Sequence, residues 1–597
     1  MAEGRKTFYY EDRLPRLPVP EPEVTFKKYL ETIKPLCDSL EDYLRNERLI
    51  QDFAKNLAPK LQQRLIQRDK LEKDSWLDRW WLQYAYMDYR DPVPINVSYA
   101  ITFKDHPNKN IHYLERAAGL LQNVLVNKEE LQQERFPADV VQGVPNCLSV
   151  WKTVWNSCRI PHPTTDTTAL FSDQEATNFV VTLDGQFYSF PAFYSNGKPL
   201  SRSDILKQLK RVCDSNARGR KYPNIGIFTT ENRTTWATIR SKMLQSPTNL
   251  QSLREIERSI LVLCLDHHAP STFEEFTQQV LWGGVQDREN RFYDKPLQFI
   301  VTPNSMAAIN GEHSTMDGQP VGLILDWILQ REQDGKIDHY ERVEEELVEP
   351  AHLEFQLTEE LNGDLRKAQH NFRALVENTN QTVFHYKGFG KHHCSKVLKA
   401  SPDATVQIAL QMAYYQQQGK FCGVYESVSM RHYKKGRTET GRCLTSASKD
   451  FVVGFFDDKL SVESKKQLFY KAVDAHVKYL NEAKKGKGID RHFLAFKLLM
   501  QESGETHPLF SDPVFINSST WRLSTSHLGF PNVNSIGFGP VAPDGYGVCY
   551  AVKKEEIRVH LTNWKDCSTA NVQQFKQLLT NSLDQINHLL TTPNSKL

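Results

Sequence analysis

The stretch NGEHSTMDG, residues 310–318, decides the class of fold that we expect for this chain. It follows two short runs, LQFIVT (297–302) and AAIN (307–310), whose apolar and β-branched residues predict strands. It precedes PVGLILDWILQRE (320–332), in which apolar residues recur at helical spacing. Strands that alternate with helices predict an α/β chain with mixed sheets, and His313 then lies in a loop at the end of a strand.

The mixture of helices and strands continues on both sides of this stretch. Residues 26–75 predict helices, and NFVVTLDGQFYSF (178–190) predicts a hairpin, because Asp184-Gly185 suits the left-handed dihedral angles of a type I′ turn. LREIERSILVLCL (253–265) and the polar stretch 345–372 have helical character, and a domain junction is expected near residue 350.

The length of the chain, 597 residues, predicts two large domains, because one ordinary core does not grow to that size. A second α/β half is expected after the junction, with helices over 401–415 and 493–503 and strands over 545–552 and 556–562.

Composition and charge exclude several classes of protein. The formal net charge is +2, which argues against a nucleic-acid partner. The longest apolar run, ILVLCL (260–265), is too short for a transmembrane segment. Ten cysteines without CxxC pairs predict neither a disulfide framework nor a zinc ribbon and are typical of a reducing compartment. The runs His267-His268 and His392-His393-Cys394 contain metal-ligand types, but adjacent residues rarely reach one ion without a third and fourth ligand, so no metal is expected.

The last three residues, Ser595, Lys596 and Leu597, form a peroxisomal address that an import receptor reads at a free C-terminus. A chance occurrence has a frequency of about one in a few thousand. We therefore expect a peroxisomal location. A mitochondrial form stays open, because an alternative start could add a presequence.

His313 is a candidate general base. Imidazole titrates near neutral pH, and the carboxylate of Asp317, four positions later, could orient it. A histidine that only satisfies the hydrogen bonds of its loop is the commoner explanation of such spacing. The spacing alone therefore leaves both roles open.

Two further groups of polar residues also have a functional and a structural explanation. Lys391 and Lys396 precede a helix start at Ser401 and Asp403, so the lysines could hold a phosphate or form a solvated basic loop. The run 524–526, STS, could stabilise an oxyanion or form a polar turn. The chain has no GxxxxGK[ST] and no GxSxG, which argues against a P-loop site and a serine hydrolase.

Taken together and in order, these pieces resemble the choline/carnitine acyltransferase family along nearly the whole chain. The stretches that carry the resemblance are LPRLPVPEPEVTFKKYL (14–30), DRWWLQYAYMDYRDPVPINVSYA (78–100), DKPLQFIV (294–301), NGEHSTMDG (310–318), SPDATVQIALQMAYY (401–415), YESVSMRHYKKGRTET (425–440), KGIDRHFLAF (487–496), LSTS (523–526) and GFGPVAPDGYGVCY (537–550). Each stretch alone is a weak signal, but chance does not explain all of them in this order.

The resemblance implies a reversible acyl transfer between coenzyme A and a hydroxyl group, without an acyl-enzyme. His313 matches the family's catalytic histidine, Asp317 matches a nearby acid, and Ser526 matches the serine that donates to the tetrahedral oxyanion. A hydrolase would instead form a covalent acyl-enzyme.

Coenzyme A is implied as a substrate, and no cofactor is expected. Lys391 and Lys396 match lysines that bind the 3′-phosphate of the coenzyme, and Asp403 matches an acid that contacts it. The position after Ser526, which is often Gln in the family, is His527 in this chain.

The acceptor that the resemblance implies is carnitine and not choline, which has no carboxylate. The chain has RTET (437–440) and DRH (490–492), as carnitine enzymes do, and hydroxyl and guanidinium donors suit a carboxylate. The residues expected to bind carnitine are Tyr425, Thr438, Arg491 and Ser524, together with Phe538 at the trimethylammonium group, where a cation–π contact is reasonable.

The acyl-chain length is expected to depend on Ile536, within NSIGFGP (534–540), because long-chain members leave an open channel at this position. A branched side chain there predicts an acetyl or other short acyl group. A medium-chain (octanoyl) carnitine acyltransferase is the alternative, and a family member that binds coenzyme A without catalysis is a further one.

The fold that the resemblance implies has two domains related to chloramphenicol acetyltransferase, each a mixed sheet flanked by helices, with an active-site tunnel between them. Residues 78–355 are expected to form the half that carries His313. Residues 14–77 and 356–597 are expected to form the half that carries the coenzyme A and carnitine-carboxylate sites. A monomer is expected.

Overall fold

A computed structural model describes residues 6–284, 287–336 and 338–593. The chain divides between two units, each of which contains a mixed sheet and helices, and this confirms the expected α/β class. Unit 1 comprises Met1–Glu11, Trp81–Thr379 and Phe530–Gly539, and unit 2 comprises Asp12–Trp80, Asn380–Gly529 and Pro540–Leu597.

Unit 1 is built on an eight-stranded sheet. Its strands lie in the order Ala351–His352, Gln186–Pro191, Asn178–Leu183, Val262–Leu265, Leu297–Val301, Ala307–Glu312, Ser98–Phe103 and Val533–Phe538. The strand Val262–Leu265 is parallel to both of its neighbours, and the other pairs are antiparallel. Two small antiparallel pairs lie outside this sheet, Val140–Val141 with Val144–Pro145 and Ser157–Ile160 with Thr167–Leu170.

The helices of unit 1 begin with side-chain caps at several places, as at Ser201, Thr272 and Thr358. They are Tyr113–Gln132, Arg202–Arg218, Arg233–Met243, Pro247–Arg258, Phe273–Trp282, Gly318–Gln333 and Glu359–Asn378, with short helical segments at Gln83–Met87, Val93–Asn96, Ser149–Thr153 and Ile225–Thr230. The short helix Asp78–Leu82 contains the boundary between the units.

Unit 2 is built on a six-stranded sheet in the order Thr379–Tyr386, Ile557–Trp564, Tyr546–Val552, Trp521–His527, Gly423–Ser429 and Thr438–Arg442. The strand Trp521–His527 is parallel to both of its neighbours. The helices are Pro22–Ile33, Leu40–Asn56, Ala58–Leu71, Lys391–Lys396, Pro402–Gln418, Ser446–Phe455, Val462–Glu482, Asp490–Ser503, Pro513–Ser518 and Val572–Thr591, with short segments at Lys34–Leu36, Ala483–Lys487 and Pro508–Ser511.

Predictions from local sequence are confirmed where a few neighbouring residues determine the backbone conformation. Asp184 and Gly185 both have positive φ angles, 55° and 67°, as the predicted hairpin turn requires. The side chain of Ser401 accepts a hydrogen bond from the backbone N–H of Ala404 and so caps the predicted helix.

The predicted helix over 253–265 is wrong in its second part. The helix ends at Arg258, and Val262–Leu265 is a fully buried strand. A strand that is buried on both faces is apolar throughout, so its hydrophobic pattern does not distinguish it from a segment of a buried helix. The stretch 345–372 is helical only from Glu359 onwards.

Two segments fall in a different unit from the half in which the sequence placed them. The helix Glu359–Asn378 lies in unit 1, where Asn371 donates to the carboxylate of Glu231 at 3.0 Å. The strand Val533–Phe538 lies at the edge of the sheet of unit 1, although the chain before and after it belongs to unit 2. Contacts between segments that are distant in the sequence decide both placements. The order of the residues along the chain does not reveal these contacts. Within the described ranges, no helix has the length and apolar character that crossing a bilayer requires.

Candidate active site

His313 lies where the sequence predicts it, directly after the strand Ala307–Glu312 and before the helix Gly318–Gln333. Its backbone N–H donates to the carbonyl of Val97 at 3.0 Å, and its side chain is 33% exposed. Nδ1 lies 3.9 Å from Oδ1 of Asp317, the residue that precedes the helix. This distance is beyond the normal range of a hydrogen bond.

Two tyrosines surround the imidazole of His313. The hydroxyl of Tyr86 lies 3.2 Å from Nδ1, and the Tyr86 ring stacks on the imidazole with centroids 5.2 Å apart. Tyr99 makes an edge contact from another side, also at 5.2 Å. Gly311 leaves room for Tyr99, because a Cβ at Gly311 would lie 2.5 to 2.8 Å from the tyrosine ring. The two tyrosine rings therefore restrict how the imidazole is oriented.

Arg159 connects the residues on either side of this imidazole. Its Nη1 lies 2.9 Å from Oε1 of Glu312, the residue before His313. Its Nη2 donates to the backbone carbonyl of Tyr86 at 2.6 Å. Both charged side chains of this pair are fully buried. One guanidinium therefore fixes the end of the strand and the tyrosine whose hydroxyl contacts His313.

Further charges continue this network. Asp166 pairs with Arg159 at 2.7 Å and with Arg233 at 2.6 Å. Burial opposes the ionisation of Asp166, but the two guanidinium groups outweigh it and lower the pKa. Arg233 also pairs with Asp294 at 2.7 Å, and burial raises the pKa of that carboxyl. Each charge has a buried partner, so removal of one partner leaves another charge uncompensated.

The strand Val533–Phe538 brings two predicted site residues into the sheet that carries His313. Phe538 is directly opposite Tyr99, and Ile536 is directly opposite Ile101. Paired residues in an antiparallel sheet project from the same face, so Ile536 and Phe538 share the face from which Tyr99 contacts His313. Ile536 is 7% exposed.

The predicted serines lie in the sheet of unit 2. Ser524 and Ser526 project from one face of the strand Trp521–His527, because they alternate with Thr525. Thr525 is buried, and its hydroxyl donates to the carbonyl of Tyr425 at 2.7 Å. Tyr425 is in parallel register with Ser524. Ser526 is partly exposed.

Arg491 and Thr438, which are far apart in the sequence, lie together in unit 2. Nε of Arg491 donates to the carbonyl of Thr438 at 3.0 Å, and Nη2 donates to the Thr438 hydroxyl at 3.4 Å. Nη1 lies 3.5 Å from the hydroxyl of Thr440. Arg491 is 7% exposed. Hydroxyl groups and one guanidinium therefore form a donor cluster of the kind that binds a carboxylate.

Asp403 lies between two histidines. Its carboxylate oxygens are 3.2 Å from Nε2 of His476 and 3.0 Å from Nδ1 of His527. Burial opposes ionisation, but the hydrogen bonds from both imidazoles hold the pKa of Asp403 well below its ordinary value. The ring of His527 stacks on Tyr550, whose hydroxyl donates to Asp403 at 2.6 Å. His527 thus orients the acid beside it.

Glu426, Cys443 and His476 form a buried group whose side chains have the ligand types that a metal prefers. They already interact with one another, because the Cys443 thiol donates to Glu426 at 3.2 Å and His476 lies 3.6 Å from the same carboxyl. Burial, together with the nearby Asp403, raises the pKa of Glu426 well above its ordinary value. The raised pKa favours the protonated form of the Glu426 carboxyl.

Lys391 and Lys396 are both exposed, at the two ends of the short helix Lys391–Lys396. Their position is accessible to an anionic ligand. Of the predicted site residues, unit 1 holds His313, Asp317, Ile536 and Phe538, and unit 2 holds Ser526, Lys391, Lys396, Asp403, Tyr425, Thr438, Arg491 and Ser524.

The sequence did not indicate the roles of Tyr86, Arg159 and Glu312. Tyr86 lies in an aromatic-rich stretch that carries the family resemblance, and this is the one signal that could have identified it. Arg159 contacts Glu312 across 153 positions, a separation at which spacing gives no information.

The sequence of the chain is similar to that of known proteins of one family. The sequence pattern of the family described as Choline/Carnitine o-acyltransferase matches residues 17–581. Carnitine O-acetyltransferase of Homo sapiens is 32% identical over 98% of this chain and 95% of its own length. The mitochondrial carnitine O-acetyltransferase of Saccharomyces cerevisiae is 32% identical over 99% of this chain and 90% of its own length. Peroxisomal carnitine O-octanoyltransferase of Bos taurus is 29% identical over 99% and 98%.

Among solved structures, the first condensation domain of the calcium-dependent antibiotic synthetase matches with a TM-score of 0.39 and 7% identity, over 86% of this chain and 94% of that one. The match of the family pattern to nearly the whole sequence shows that the chain belongs to the choline/carnitine acyltransferase family. It is an acyltransferase enzyme.

Proposed function

We propose that this acyltransferase moves an acetyl or other short acyl group reversibly between coenzyme A and the hydroxyl group of L-carnitine. The observation that carries the choice of acceptor is the cluster of Arg491, Thr438 and Thr440, because a buried guanidinium among hydroxyls suits the carboxylate that carnitine has and choline lacks. The relatives named carnitine O-acetyltransferase support the same choice.

In the proposed reaction His313 removes the proton from the carnitine hydroxyl, whose oxygen attacks the thioester carbonyl. The hydroxyl of Ser526 donates to the resulting oxyanion. Its collapse breaks the carbon–sulfur bond, and the imidazolium returns the proton to the departing thiolate. Tyr86 and Asp317 support this role, because both lie beside Nδ1 and so favour one orientation of the ring.

For coenzyme A, we assign the 3′-phosphate to the exposed ammonium groups of Lys391 and Lys396, and a further contact to Asp403. The coenzyme is a substrate here. The two hydrogen bonds from His476 and His527 keep Asp403 ionised, so it can accept from an N–H or O–H group of the coenzyme.

The proposed preference for short acyl groups rests on Ile536, whose branched side chain shares a sheet face with Tyr99 beside His313. The alternative is a medium-chain acyltransferase, which the similarity to a peroxisomal carnitine O-octanoyltransferase favours.

The deciding experiment measures initial rates with acetyl-, octanoyl- and palmitoyl-coenzyme A, each with carnitine and with choline. We expect the highest kcat/KM for acetyl-coenzyme A with carnitine. A higher value for octanoyl-coenzyme A would establish the alternative. If the wild type and His313→Ala both transferred acyl groups only at the background rate, the protein would instead bind coenzyme A without catalysis.

We further propose a peroxisomal location, through recognition of Ser595, Lys596 and Leu597 by the import receptor. These residues lie outside the described part of the chain. The relatives include a protein named mitochondrial and one named peroxisomal, so the family leaves the compartment open. Deletion of the three residues from a fluorescent fusion should move the signal from peroxisomes to the cytosol, and unchanged localisation would contradict the proposal.

A further inference from the structure

Glu439 lies between the two threonines of the proposed carboxylate site and is 5% exposed. Its Oε1 accepts the backbone N–H of Thr440 at 2.7 Å. The backbone N–H of Arg491, in the first turn of the helix Asp490–Ser503, also donates to this carboxyl group. One side chain therefore connects the strand that carries Thr438 to the helix that carries Arg491.

The chain leaves space for this connection at Gly488. A Cβ at Gly488 would lie 2.3 Å from Cγ, 2.4 Å from Cδ and 2.7 Å from Oε2 of Glu439. Any other residue at this position would require the Glu439 side chain to shift. The contact therefore depends on two residues, the acid on the strand and the glycine before the helix.

The charges around Glu439 shift its pKa in opposite directions. Burial raises the pKa of Glu439 to about 7, and the negative charge of Asp490 acts in the same direction against the attraction of Arg491. Asp490 itself pairs with Arg442 of the same strand at 2.8 Å, and the buried Tyr479 also interacts with Glu439. The charge on Glu439 therefore changes in the pH range of an ordinary activity assay.

We propose that Glu439 is a positioning residue for the acceptor: it holds Thr438 and Arg491 in their relative places, and its charge controls how much positive charge Arg491 offers to a substrate carboxylate. The inference rests on the proposed carnitine acyltransferase function. It adds Glu439 to the residues that determine specificity for the acceptor. The carboxyl group bridges two backbone amides in either protonation state, whereas its charge is present only when it is ionised.

The first test compares Glu439→Ala, Glu439→Gln and the matched control Glu463→Gln, which changes an exposed acid in the first turn of another helix of unit 2. In Glu439→Ala we expect KM for carnitine to rise by about tenfold or more, because the hydrogen bonds from the backbone N–H groups of Thr440 and Arg491 are lost. KM for acetyl-coenzyme A should stay at the wild-type value. Glu439→Gln keeps an acceptor oxygen and should recover most of the loss, and Glu463→Gln should match the wild type.

The second test follows KM for carnitine from pH 6 to pH 8. In the wild type it should rise as Glu439 ionises, because the new negative charge offsets that of Arg491, and in Glu439→Gln this rise should be absent. Equal rises in both KM values for Glu439→Ala, or the same pH profile in Glu439→Gln and the wild type, would overturn the inference. A wild type that does not use or bind carnitine, measured by calorimetry, would instead refute the proposed function.

Discussion

Nη1 of Arg159 lies 2.9 Å from Oε1 of Glu312, and neither side chain is exposed. The same guanidinium contacts Asp166 and the carbonyl of Tyr86, so it holds residues on both sides of the catalytic candidate His313. A buried charge that loses its partner destabilises a protein more than the pair had stabilised it.

We therefore expect Arg159→Met to lower the free energy of unfolding by about 3–5 kcal/mol, because Glu312 and Asp166 lose a buried partner. Urea denaturation measures this change. The control Arg254→Met breaks a pair with Glu175 in which the side chains are 64% and 45% exposed, and its effect should stay below about 1 kcal/mol. Equal effects of the two substitutions on the free energy of unfolding would show that the buried ion pairs contribute no more to stability than the exposed pair.

Replacement of His313 by Ala should lower kcat by about 10²- to 10⁴-fold, the usual contribution of a general base. The imidazole is partly exposed at the end of a strand, so the midpoint of thermal unfolding should change little. Binding of coenzyme A, followed by calorimetry, should be retained. A variant with wild-type kcat would exclude His313 from the reaction.

Tyr86→Phe tests the contact between the tyrosine hydroxyl and Nδ1 of His313. Loss of one hydrogen bond that orients the ring should lower kcat by about two- to tenfold and leave KM for acetyl-coenzyme A unchanged. Tyr84→Phe, at a tyrosine that is 52% exposed two positions earlier, serves as the control and should have no effect. If both variants matched the wild type, the hydroxyl would have no role in orienting the ring.

Ile536→Gly should extend the range of acyl groups that the enzyme accepts. Removal of the branched side chain beside the strand Ser98–Phe103 opens space on the face that carries Tyr99. The ratio of kcat/KM for octanoyl- over acetyl-coenzyme A should rise by about tenfold or more. Val541→Gly, at a valine that is 58% exposed, should leave the ratio unchanged. An unaltered ratio in Ile536→Gly would remove Ile536 from the control of chain length.

Acid should destabilise unit 2 through two buried histidines. Burial lowers the pKa of His492 and of His560 to about 3, and His492 also contacts Thr25 and Gln62 through its two ring nitrogens. An unfolded histidine has a pKa of about 6.5, so between pH 6.5 and 3 the unfolded chain binds more protons and stability falls as the pH falls. Each histidine should contribute a slope of up to about 1.4 kcal/mol per pH unit, measured by urea denaturation at a series of pH values. In His560→Gln this slope should be smaller, and the same slope as in the wild type would contradict the prediction.

The sequence predicted features that depend on a few neighbouring residues. The loop position of His313 follows from a β-rich run before it and a helical pattern after it, and the hairpin at Asp184-Gly185 follows from two residues that tolerate positive φ angles. Resemblance to a family supplied the candidate roles, because the order of many short stretches carries information that no single spacing does.

The sequence alone therefore determined the α/β class, the family and the local setting of the candidate residues. Only the tertiary structure decided that Tyr86 contacts His313 across 227 positions, that Arg159 pairs with Glu312, and that Val533–Phe538 joins the sheet of unit 1. The physical reason is the range of the interactions. Turns, caps and periodicity act over a few residues, whereas strand pairing and buried ion pairs depend on how distant segments pack, which spacing along one chain does not specify.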